Sequence, residues 1–104
     1  MESRSIYDNI SPLDHRYYES NRELFDALGP YLNEQASVRY ATQVECALLA
    51  THLEARNELD TETEALLDQL PRLIDPAEVY EEERTTQHNV RALVNVIARR
   101  LPER

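Results

Sequence analysis

The chain contains a single glycine, Gly29, in 104 residues. Glycine turns the backbone through left-handed conformations without steric cost, and tight β-hairpins depend on it. With one Gly and no Asn-Gly or Asp-Gly pair, a hairpin-rich fold has no turns to use. No stretch shows sustained period-two alternation, and long runs of good helix formers fill the remainder. The chain is therefore expected to be all-α: one small helical domain of about five helices, one of them long.

Residues 1–19 read as an irregular leader with Pro12 in a turn. Ser20 and Glu23 have capping-box spacing, Leu24, Phe25 and Leu28 form an apolar stripe, and Gly29-Pro30 predicts the stop of a short helix. The longest helix is predicted from about Tyr31 to Leu59, where Leu32, Ala36, Tyr40, Val44 and Leu48 repeat at i+4. A third is predicted from Thr61, with Glu64 completing its capping box, to Pro71. Asp75-Pro76 combines a cap with Pro at the first helical position and opens a fourth, which runs into Glu81-Glu82-Glu83. Val90, Leu93, Val94, Ile97 and Leu101 mark one face of the last helix, which Pro102 ends. Between the last two helices lies Thr85-Thr86-Gln87-His88-Asn89. Thr and Asn side chains compete for backbone groups, so a helix break is predicted there. Thr86 is the expected cap, with Gln87, His88 and Asn89 in the first turn that follows.

All eleven basic residues are Arg, against 20 acids, for a formal charge of −9. A negative chain lacks the field that nucleic acid or an anionic membrane surface requires, and neither is expected as a partner. No apolar run approaches the roughly 18 residues that span a bilayer. The lone Cys46 cannot form an internal disulfide, so a reducing cytoplasm is the expected location. Residues 84–104 hold five Arg against Glu103 alone, and Arg99 and Arg100 are expected to complement the C-terminal dipole of the last helix.

Among candidate chemical groups, His52 sits mid-helix and is expected to be partly buried and structural, and His15 lies in the leader. His88, with polar neighbours at a predicted helix start, fits a donor or an acid–base group. The spacing of these three matches no metal-ligand pattern and Cys46 has no Cys partner, so no metal site is expected and Cys46 is assigned to the core. A phosphate-binding Gly-rich loop is impossible with one Gly. The acidic run Glu81-Glu82-Glu83 reads as a solvated face, one member of which could orient an Arg. Tyr17-Tyr18 beside Arg16 could hold a planar or phosphorylated ligand, or simply pack the leader on the helices.

Read together, three segments go further. Ser11-Pro12-Leu13-Asp14-His15-Arg16-Tyr17 resembles the Ser-Pro-x-Asp-Gly-Arg-Tyr leader of adenylosuccinate lyase, within the fumarase/aspartase superfamily. Arg39-Tyr40 and Gln43-Val44-Glu45 look like part of that family's first long helix. Thr86-Gln87-His88-Asn89-Val90 lies where the family has Thr-x-His-Asp-Val, after an acidic helix and before an apolar one. The order and spacing agree from Ile10 to about Ile97. Two positions depart: His15 stands in place of Gly, and Asn89 in place of Asp keeps a hydrogen-bond acceptor but no carboxylate.

The resemblance implies an N-terminal helical domain, residues 1–104, without the family's central bundle and C-terminal domains. It implies a parent reaction that eliminates fumarate from adenylosuccinate, and from the related succinyl-carboxamide nucleotide, in purine biosynthesis. Substrate-binding residues carried over are Arg16, Tyr17, Gln87, His88 and Asn89, with His88 a candidate assisting group and no residue assigned as catalytic. Partners implied are the nucleotide, the remaining lyase domains and neighbouring subunits of a homotetramer; no cofactor is implied. Alternatives are another superfamily lyase or cycloisomerase, and a non-catalytic helical interaction module.

Overall fold

The computed structural model describes residues 5–10 and 17–102. Among the described residues there is no strand. Two short 3-10 turns, Ile6–Asp8 and Glu19–Asn21, precede helices α1 (Arg22–Leu32), α2 (Glu34–Ala55), α3 (Thr61–Leu73), α4 (Pro76–Thr86) and α5 (Asn89–Arg99). The chain divides into two compact units, Met1–Ser37 and Val38–Arg104, with the division in the first turn of α2.

In the first unit, Tyr18 is tied to α1. Its hydroxyl donates to Asp26 Oδ1 at 2.9 Å, its ring lies 6.0 Å from that of Phe25, and the Arg22 guanidinium sits 5.3 Å from its centroid. Ser20 is not the cap expected of it: it lies inside the second 3-10 turn, and Asn21 occupies the cap position without a side-chain bond. Nor does Gly29-Pro30 stop the helix. Proline here forfeits only its own bond to the carbonyl four residues back, and α1 continues to Leu32. The break falls at Asn33, whose ψ of 172° is extended. Asn33 closes one helix and opens the next: its N–H donates to the Gly29 carbonyl at 3.1 Å, and its Oδ1 accepts from the Ala36 N–H at 2.7 Å.

The second unit holds one core, built by Cys46 from α2, Leu67 and Leu70 from α3, Val79 from α4 and Ala92, Leu93, Val96 and Ile97 from α5, with Ile74 from the α3–α4 link. Full burial of a Leu or Val side chain such as Leu70 or Val96 stabilises by roughly 1.5–3 kcal/mol. Cys46 is buried as expected, and burial, followed by the negative charges of Glu45 and Asp68, pushes its thiol pKa up. The i+4 row of α2 does not all face the core. Tyr40, Val44 and Leu48 are exposed, whereas Val38, Leu49 and Ala50 of the opposite side pack on the core. His52, expected partly buried, is exposed.

Helix ends in this unit depart from the sequence reading for local reasons. α2 stops at Ala55, short of Leu59, because Asn57 takes a left-handed conformation (φ 56°). The Glu58 N–H then donates to the Leu53 carbonyl at 2.8 Å and the Asn57 N–H to that of Glu54 at 3.0 Å, a Schellman termination. Asp60, not Thr61, caps α3, accepting from the Thr63 N–H at 2.7 Å. α3 passes through Pro71 to Leu73. Asp75 caps α4 as expected, accepting from the Ala77 N–H at 2.9 Å with Pro76 next.

Candidate functional site

The helix break predicted near Thr86 is present, two residues later than expected. α4 continues through Thr86, and Gln87 turns left-handed (φ 55°, ψ 29°) while its N–H donates to the Glu83 carbonyl at 2.7 Å. His88 is extended, and it is the true cap of α5: its Nδ1 accepts from the Arg91 N–H at 3.2 Å. Thr86 braces the turn instead of capping it. Its hydroxyl accepts from the His88 N–H at 3.3 Å and donates to the His88 carbonyl at 3.1 Å. Asn89 is the first helical residue, and its Oδ1 accepts from the Val90 N–H at 2.8 Å.

This geometry defines what the turn can offer a ligand. Gln87, His88 and Asn89 are all exposed. Because Nδ1 of His88 is the acceptor, the neutral ring carries its proton on Nε2, which is then a donor on an exposed residue. The start of α5 adds its positive dipole end, so the turn favours an anion or carbonyl oxygen.

A polar clamp holds the two helices that present the turn. Glu82 of α4 accepts from Asn95 Nδ2 at 3.1 Å and pairs with Arg99, both on α5. Glu78 pairs with Arg99 Nη1 at 3.5 Å and with Arg100 Nη2 at 3.0 Å. The hydrogen bond from Arg99, then that from Asn95, lowers the Glu82 pKa, and the same contact raises that of Arg99. Arg99 and Arg100 thus bind α4 carboxylates beyond any dipole role, and one member of the acidic run does orient an Arg. The pattern that could have revealed the clamp is Glu78/Glu82 and Asn95/Arg99, each pair at i+4 on either side of a short turn.

The other site residues come from the leader. Tyr17 belongs to the first unit, is 45% exposed, and its carbonyl accepts from Asn21 Nδ2 at 3.1 Å. Arg16 and His15, with the rest of the leader motif from Ser11, lie outside the described residues. Among the described residues no group of three His, Cys, Asp or Glu side chains is placed to hold a metal ion, and no helix is long and apolar enough to cross a membrane. Comparisons with protein-family models, with characterised proteins and with solved structures find no match to this chain.

Proposed function

We propose that this chain is the substrate-binding N-terminal part of a fumarate-releasing lyase of the adenylosuccinate lyase kind, acting in the cytoplasm. The reaction is a β-elimination: a base removes a proton beside a carboxylate, the C–N bond breaks, and an acid protonates the departing nitrogen of the nucleotide. In this reading the chain holds the substrate and supplies no base. His88 Nε2 and the first turn of α5 meet an anionic or carbonyl oxygen, Gln87 and Asn89 add amide donors and acceptors, and Arg16 and Tyr17 grip a phosphate or carboxylate. The remaining lyase domains and neighbouring subunits of a tetramer complete the site.

The observation that supports this reading is the Gln87–His88–Asn89 turn itself, exposed and braced at a helix start. The test is a titration of the 104-residue chain with adenylosuccinate, followed by amide chemical shifts. A partial site should bind weakly, with Kd near about 1 mM, or roughly −4 kcal/mol. Shifts centred on Gln87–Arg91, and no release of fumarate, are the expected result. Shifts absent at saturating nucleotide, or fumarate formed by the chain alone, would sink the proposal.

A further inference from the structure

α2 is apolar on two opposite sides, and the core uses only one of them. Val38, Cys46, Leu49 and Ala50 face the core. Away from it, Tyr40, Ala41, Val44, Ala47, Leu48 and Thr51 form an exposed row without a charge, in a chain whose residues are 30% charged. Its largest members are open to solvent: Tyr40 is 40%, Leu48 54% and Val44 67% exposed. A helix with apolar residues on two opposite sides has a face for each of two layers.

The spacing says what kind of element the row accepts. Tyr40, Val44, Ala47 and Thr51 are four, three and four residues apart, the seam along which one helix packs on another. Ala41 and Ala47 are small enough to allow the usual separation of helix axes, about 8–10 Å. At 1.5 Å per residue the seam runs about 17 Å, or three turns. A strand, with side chains alternating at period two, could not follow it.

Charge says what flanks that helix. Along the part of α2 that carries the row, Glu45 and Glu54 stand against Arg39 alone, and Arg39 lies 5.0 Å over the Tyr40 ring. At 100° per residue, Glu45 and Glu54 fall on opposite edges of the row. A second copy of α2 would bring like charges together on an already negative surface. We propose that this face of α2 docks a partner's amphipathic helix, about three turns long, whose apolar stripe is edged with Lys and Arg. The inference does not depend on the lyase reading.

The test uses the full chain and a labelled synthetic peptide of about three heptads, with Leu and Ala along the seam and Lys and Arg at its edges. A second peptide keeps the seam but carries Glu at the edges. The basic peptide should bind one to one and gain helicity, and the acidic one should bind at least tenfold more weakly. Val44→Glu and Leu48→Glu should each weaken the basic peptide at least tenfold, although both add negative charge. Val44→Gln, which favours helix and changes no charge, should weaken it as well. Equal or tighter binding by the Glu variants would reduce the attraction to net charge alone and overturn the proposal. So would equal binding of both peptides, or a dimer of the chain that Val44→Glu dissociates.

Discussion

At the scale of single residues, His88 carries two functions that substitution can separate. Its Nδ1 caps α5 while its Nε2 remains a donor. His88→Ala removes both, and losing a cap costs about 0.5–2 kcal/mol. Asn is a better cap than His but has no imidazole. His88→Asn should therefore match the parent chain in urea-melt stability yet lose the nucleotide-induced shifts at Gln87–Arg91. If His88→Asn still shows those shifts, the imidazole has no part in binding; if it is as unstable as His88→Ala, the cap reading fails.

Residue identity also decided what was legible in the sequence. His88 was visible as a polar residue near a helix start, because Thr, Gln and Asn around it disfavour a helix interior. Its role as the cap was hidden. Thr86 is the stronger cap by preference, and only the left-handed turn at Gln87 moves the start of α5 two residues on. Asn57 hid the end of α2 in the same way, since a left-handed Asn leaves no mark as plain as Gly. Pro30 and Pro71 misled in the other direction: each lies inside its helix, near the end, where one missing hydrogen bond is tolerated.

At the scale of elements, α4 and α5 are joined by the clamp of Glu78, Glu82, Asn95, Arg99 and Arg100. Exposed ion pairs contribute little individually, so what the clamp mainly provides is a fixed relation between the two helices. Its acid response has a defined sign. The folded-state pKa of Glu82 is lowered, first by Arg99 and then by Asn95. The stabilisation is present above the ordinary Glu value, about 4.3, and is lost as pH falls through the lower folded value. The urea midpoint of the parent chain should accordingly fall more steeply below about pH 4.3 than that of Glu82→Gln. Parallel pH profiles would show that Glu82 titrates alike in both states. The helices themselves were readable from the 3.6-residue pattern, but which side of α2 faced the core was not. Both of its sides are apolar, and sequence periodicity cannot rank them.

At the scale of the whole molecule, every described member of the buried apolar cluster lies within Val38–Arg104. Asn33 precedes that unit and caps α2. A chain comprising residues 33–104 should therefore keep its helicity and unfold in one cooperative step, with a urea midpoint close to that of the full chain. A broad, non-cooperative melt would mean that residues before Asn33 stabilise the second unit in a way its core does not reveal.

The link between α4 and α5 is only two residues long, Gln87 and His88. A joint that short has no slack, so the number of residues in it acts as a gear setting. One added residue, if absorbed by α5, would turn every later side chain about 100° around the axis and advance it about 1.5 Å. Asn95 and Arg99 would swing away from Glu82, and Leu93, Val96 and Ile97 would leave the core together. The stretch between α2 and α3, Arg56 to Asp60, has room to absorb such a change. Tolerance to insertion is thus unevenly distributed along this chain, and it is low where the candidate binding turn sits.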